Sequence, residues 1–483
     1  MGVSLNPSTI LSGQGIDVSS VVQQILSSQS GQLTVWENQS TTLATQNGVL
    51  DGIENDLTNL QTAVAALADP TGALAAQAVT SSNAAVVTAT AQSNAVAGTH
   101  QIVVNNLATT GTLYTDPVSD PNVSFLASGQ ASGDVQLQVG GTSGTTYDIP
   151  ITQGANDTLN TLASYINSQS SANNWGVTAS VVSDASGSRL ALESQNTGSA
   201  GALALGNNSN TSLTFDTPQG GTNASLDIDG VPFSSTSNTV SGAIQGVTLN
   251  LLSATPDTAV QLTVAPDTDQ ISSAVNNFVS AYNTVVSDIN AQYAVDPTGA
   301  TPAPPLESDT SLRSLQSSIL ADASYAITGN SGLVNLASLG INMNNDGSLT
   351  VGSNASGQTF AQVVGSNPSA VQNFFQNSTN TGFANIFNTD LTNLTDPTTG
   401  PLNAEVTENT ATEQGLSTSI ANFQTQLSNQ QTALTSQYDS VNASLQAYPL
   451  LLQEVTETLG TLNSGTSSTG QLISSEPTLT SGL

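Results

Sequence analysis

The side chains able to do acid–base or metal chemistry in this sequence are few and scattered. His100 is its one imidazole. It stands in "THQIVVNNL", where apolar and polar residues alternate as in a half-buried strand. A Ser–His–acid hydrolase would have to use it as general base; a histidine in such a strand is expected to face solvent instead. "DIDG" at 227–230 sets two acids two residues apart, as a calcium loop does, but the further oxygen ligands of such a loop are missing downstream. Asp229-Gly230 lies between "SLDI" and "VPF", and Asp346-Gly347 between "INMN" and "SLTV". Both are read as hairpin turns, since Asp-Gly adopts left-handed backbone easily. No HExxH, P-loop or helix-opening GxGxxG is present. Cysteine is absent, which excludes disulfides and thiolate metal sites. Trp36, Trp175, Phe374, Phe375 and Phe387 are expected to fill a core or an interface rather than to stack on a ligand. The expectation is no enzyme, with no catalytic, metal or cofactor site.

Composition narrows the class further. The chain has 483 residues, enough for about three domains. Only 7% are charged, and Arg189 and Arg313 are the only basic residues besides His100. A formal charge of −32 argues against nucleic acid or an anionic membrane as partner. No apolar run reaches the ~18 residues of a membrane span, so no membrane insertion is expected. "MGVSLNPSTILSGQG" has neither the basic nor the apolar region of a secretory signal, and Asn6 departs from a myristoylation pattern. In strong acid, with carboxylates protonated, the charge falls to only about +4, so the chain escapes the self-repulsion that drives acid unfolding. Life in acidic surroundings and a genomic bias against lysine both account for this.

What must position these residues is a chain with helical ends and a β-rich middle. Asp17 or Ser19 can cap a helix that starts at Val18. Val22, Leu26, Leu33, Trp36, Leu43 and Leu50 then follow a seven-residue repeat, with Gln29, Ser40 and Asn47 at alternate seam positions. The phase shifts at Gly48 and Gly52 and runs on to Leu67, and "ADPTG" ends the helix. At the other end Leu416, Ile420, Phe423, Leu427, Leu434, Tyr438, Val441, Leu445, Tyr448, Leu452, Val455, Leu459 and Leu462 keep a three/four spacing, which predicts a coiled coil. Pro449 is expected to kink or end that helix near Tyr448, and a disordered tail is expected at 463–483. Between the ends, eight period-two stretches read as strands, "AVVTATA", "VQLQVGG" and "AVQLTVAP" among them. Helices are expected at "DTLNTLASYINSQ", at 268–293 and at 310–325. The β region is thus an insertion, and the first helix is expected to pack beside the last.

Taken in order, these segments resemble the bacterial flagellar filament cap proteins, the hook-associated protein 2 family. "GQGIDVSSVVQQIL" is similar to the family's opening helix. "DTLNTLASYINSQ" with "GVTASVV" is similar to an insertion shared among flagellin-related proteins. "IDGVPFSSTSNTVSGAIQGVTLNLL", "VNNFVSAYNTVV", "LASLGINMNNDGSLTV" and "LSNQQTALTSQYDSVNASLQAY" resemble the family's C-terminal half. The likeness covers most of residues 10–460; the missing lysines, Pro449 and the tail depart from it.

The resemblance implies an α+β multidomain protein with terminal coiled-coil helices, a helical bundle leg and inserted antiparallel β-rich domains. It implies a partly disordered N-terminal leg helix at 1–40, a helical leg at 41–78 plus 268–404 and a β-rich head at 79–117 plus 222–267. An outer β-rich domain with one helix follows at 118–221, then a C-terminal coiled-coil helix at 405–462. The implied role is extracellular: a cap on the distal tip of the flagellum, exported through its channel without a cleaved signal, that promotes flagellin polymerisation and prevents flagellin leakage. The implied partners are further copies in a small ring, flagellin, the hook-filament junction proteins, and an export chaperone on the C-terminal helix. Self-assembly and flagellin contact would fall to Val18, Val22, Ile25, Leu26, Leu33, Trp36, Leu416, Ile420, Phe423, Leu427, Leu434, Tyr438, Val441 and Leu445. An adhesive role of the outer domain is compatible with capping. The alternative reading is a secreted adhesin or surface-layer component, which has no need of paired terminal heptads.

Overall fold

The computed structural model describes residues 17–294, 296–300, 302–377 and 379–465. The first sixteen residues and the tail from 466 onward, including the Gly-rich opening, lie outside them. The described chain is α+β and falls into two compact units. One takes its described residues from Met1–Asp56, Asp288–Leu315 and Asn393–Leu483; the other is Leu57–Ser287 with Gln316–Thr392.

The first unit is helical. Helix α1 (Val18–Gln29) opens under Asp17, whose Oδ1 accepts the Ser20 N–H at 3.1 Å. Helix α2 (Gly31–Ala68) follows after a turn at Ser30. The single stripe expected from Val18 to Leu67 is therefore two helices. The hydroxyls of Ser27, Ser28 and Ser30 bond back to the carbonyls of Gln24, Ile25 and Ser27, local competition that weakens a helix just before a glycine. The last helix, α9 (Pro401–Gly465), is 65 residues long. Pro449 lies inside it and does not end it: the helix continues for sixteen residues past the proline. The proline removes the main-chain bond to Leu445, and on this exposed helix water can take that carbonyl instead.

The second unit holds two β bodies. In the first, a sheet of order β1-β15-β3-β11-β12 faces one of order β13-β14-β2. The strands are β1 (Gln77–Ser81), β2 (Val87–Ala91), β3 (Gly98–Asn106), β11 (Ala224–Ile228), β12 (Val231–Ser235), β13 (Thr239–Ile244), β14 (Val247–Leu251) and β15 (Val260–Pro266). Alternation sends Ile102, Val104, Leu226, Val260 and Leu262 into a core shared with Val240 and Leu249. Each such side chain contributes about 1.5–3 kcal/mol by leaving water.

The second β body begins at β4 (Thr110–Thr115), eight residues before the boundary expected at 118. Strand β4 pairs with β8 (Gly187–Thr197) and β10 (Phe215–Gln219), and β8 with β7 (Val177–Asp184). Strands β5 (Ser132–Val139), β6 (Thr145–Thr152) and β9 (Leu203–Ser209) form a second sheet. Helix α3 (Leu159–Asn173) closes the core with Leu159, Leu162 and Ile166. Asn167 ties it to β7 by donating to the Ala179 carbonyl and accepting the Ala179 N–H.

The helical part of this unit packs Leu57, Leu60 and Val64 of α2 and the apolar face of α4 (Thr268–Gln292) with four further helices. These are α5 (Thr310–Ala323), α6 (Phe360–Ser366), α7 (Pro368–Phe375) and α8 (Phe383–Leu394). Phe278, Phe374, Phe375, Phe383 and Phe387 meet there edge to face or stacked, at centroid distances of 5.2–6.2 Å. Phe374, Phe375 and Phe387 are thus core residues, Trp175 is buried in the core of the second β body, and Trp36 is only half-buried. A short hairpin, β16 (Ile341–Met343) with β17 (Leu349–Val351), turns through Gly347 at φ +84°.

Candidate assembly surface

Helices α1 and α2 run antiparallel to α9, and the pairing can be followed rung by rung. The Asn403 amide donates to the Glu54 carboxylate at 2.6 Å, and the Asn47 amide reaches the Thr410 hydroxyl at 3.5 Å. Trp36 meets the ring of Phe423 edge to face at 5.7 Å. Leu26 and Leu427 line a shallow groove with Ser27, Ser30, Gln424 and Gln431. Each rung joins one residue from the first sixty to one from the last eighty-five, so the stripes seen in the sequence do face each other. Polar Asn47 is half-buried in this seam with its Oδ1 unpartnered, the kind of residue that fixes register at a cost in stability.

The expected assembly residues do not share one environment. Val18 and Val22 are buried. Ile25, Leu26, Leu33, Trp36, Leu416, Ile420, Phe423, Leu427, Leu434, Tyr438 and Leu445 are half-buried, so each keeps part of its surface open to a further partner. Val441 is exposed. Past it the stripe goes on: Tyr448, Leu450, Leu451, Leu452, Val455 and Leu459 are between 53% and 70% exposed. Leu450 and Leu451 stand beside the three/four pattern, so spacing did not single them out; their apolar run after Pro449 was the available signal.

The groups that could have done chemistry are placed structurally. His100 Nδ1 lies 2.7 Å from Asp229 Oδ2, and the other oxygen of Asp229 accepts the Gln101 N–H. The His100 hydrogen bond and the Gln101 N–H together hold the Asp229 carboxyl below the usual carboxylate range. Asp229 and Gly230, both at positive φ, form the two-residue turn between β11 and β12, as the sequence predicts. Among the described residues no three His, Cys, Asp or Glu side chains converge as a metal site, and no helix is long and apolar enough to cross a membrane.

The proteins this chain is similar to are flagellar hook-associated proteins. The family description "flagellar hook-associated protein 2 N-terminus" fits residues 14–111, "flagellin hook IN motif" fits 134–196, and "flagellar hook-associated protein 2 C-terminus" fits 221–448. The B-type flagellar hook-associated protein 2 of Pseudomonas aeruginosa is 31% identical over 350 residues, covering 67% of this chain and 71% of that one. The chain belongs to the flagellar hook-associated protein 2 family. The flagellar hook-associated protein 2 of Escherichia coli K12 is 26% identical over 358 residues, 70% of this chain and 74% of its own. The crystal structure of the D1-D2-D3 domains of the Escherichia coli flagellar cap protein superposes with a TM-score of 0.59 at 25% identity. That match covers 75% of this chain and 99% of that one. The family order, N-terminus, flagellin motif and C-terminus, is the order of the motifs quoted from the sequence.

Proposed function

We propose that this hook-associated protein 2 family member is a structural, non-catalytic subunit of the cap at the distal tip of a flagellar filament. There it would promote flagellin polymerisation and prevent flagellin leakage. Subunits assemble through the paired terminal helices into a small ring, with flagellin beneath them and the hook-filament junction proteins as earlier neighbours in the structure. The terminal and bundle helices serve as the leg, and the β bodies as head and outer domain. Export through the flagellar channel places the protein outside the cell, and the apolar stretch from Leu450 to Leu459 is the surface an export chaperone would cover beforehand.

The observation that carries this reading is the antiparallel seam itself. The half-buried stripe of α1, α2 and α9 is satisfied on one side only, which suits helices that also pack against copies and against flagellin. Light scattering across concentration tests it, on the full chain and on a version lacking residues 1–40 and 405–483. The full chain is expected to form a discrete small oligomer and the truncated one a monomer. Two monomers at every concentration would remove these helices as the ring-forming surface.

A further inference from the structure

Three pairs of carboxyl groups face each other between helices in a chain that has no lysine. Asp322 of α5 meets Asp390 of α8, Glu405 of α9 meets Asp309 just before α5, and Asp56 of α2 meets Asp288 of α4. Glu405 Oε2 and Asp322 Oδ2 are buried, and neither accepts a hydrogen bond from any donor among the described residues. A second carboxylate close by disfavours the ionised form of the first, and burial disfavours it further. The charged groups that act on them are acidic as well. Glu405 faces Asp309 and, one turn along its own helix, Glu408, with the Ser311 hydroxyl as its one favourable neighbour. Asp322 faces Asp390 and the fully buried phenol of Tyr282, whose oxygen is also unpartnered. Asp309 Oδ1 accepts the Leu312 N–H at 2.7 Å at the start of α5, so that oxygen is already occupied.

We propose that Asp322 and Glu405 each carry a proton in the folded protein and donate it to the facing carboxylate, so that mild acid tightens the helical parts of the molecule. The proton on Glu405 bonds to the Asp309 carboxyl that caps α5, and that on Asp322 bonds to Asp390. Burial, followed by the facing acid, pushes Asp322 and Glu405 each up to about 7. The sign follows directly. A carboxyl whose folded value lies above its unfolded value of about 4 binds its proton more tightly in the native state. Its stabilising effect is complete below pH about 4 and disappears as pH rises through 7. This is the reverse of the usual acid-labile salt bridge, and it rests on none of the assembly reading above.

Thermal unfolding of the full chain, followed at 222 nm between pH 5 and pH 8, tests the proposal. The midpoint is expected to be higher at pH 5 than at pH 8 by about 5 °C or more. Asp322→Asn and Glu405→Gln replace the donating O–H by a donating N–H, so each should raise the pH 8 midpoint and flatten the profile. Proton uptake on refolding from urea at pH 6 gives a second readout independent of those midpoints; each substitution should remove about one proton. A midpoint that is flat or falls toward pH 5, or an uptake that neither substitution changes, overturns the proposal. So does a pH 8 midpoint raised by added calcium or magnesium without proton uptake, which would assign the facing oxygens to a metal ion.

Discussion

Trp36 and Phe423 come from opposite ends of the chain and meet ring edge to ring face. An aromatic pair in this geometry contributes about 0.5–1.5 kcal/mol beyond the area it buries. A double-mutant cycle with Trp36→Ala and Phe423→Ala is therefore expected to return a coupling of that size in urea unfolding; additive losses would mean that the rings do not meet in solution. Their stripes were visible in the sequence, because heptad spacing is local, but which position of one stripe opposes which of the other was not. That register is set by long-range rungs such as Asn403 with Glu54, which no spacing rule reports. Asp229-Gly230 was legible for the opposite reason: a two-residue turn needs positive φ at both positions, and Asp-Gly supplies it within the dipeptide itself. The carboxyl pairs left no trace in the sequence, since aspartates far apart in the chain carry no sign that they will be neighbours.

Among the elements, the long helices and the alternating strands were legible, whereas the shorter helices α6, α7 and α8 and the irregular strands were not. Strand β6 contains Pro150 in "TTYDIPIT" and β9 ends in "GNNS", compositions that read as loops. Both lie at the edges of their sheet, where one side of the strand needs no ladder bonds and proline is tolerated. Helix α9 shows the converse error, in which a breaker was given too much weight. Proline inside a helix costs about 3 kcal/mol relative to alanine, and a helix already extended on both sides can absorb that locally. Pro449→Ala is expected to restore about that amount to the distal end of α9, seen as greater ellipticity at 222 nm and later melting of that segment. Unchanged helicity would mean that this end gains its order from a partner rather than from its own backbone.

The molecule as a whole joins an acidic composition to carboxyls of two opposite kinds. Asp69, Asp346 and Asp396 close turns, and backbone N–H groups or neighbouring hydroxyls hold them below the ordinary range. Their contribution is present above pH about 4 and is lost as pH falls further, while the raised carboxyls keep theirs there. With few cations to repel one another, the fold is expected to retain its near-UV circular dichroism at pH 3; a sharp loss would show that composition gives no acid tolerance. The antiparallel seam also fixes an order of events. Each β body is complete once its own strands exist, but the seam that joins α1 and Trp36 to α9 closes only when α9, the last helix of the described chain, has been made. The seam therefore closes only after both β bodies have been made, although α1 precedes them in the chain. Until then the apolar stripe of α1 stays open to water.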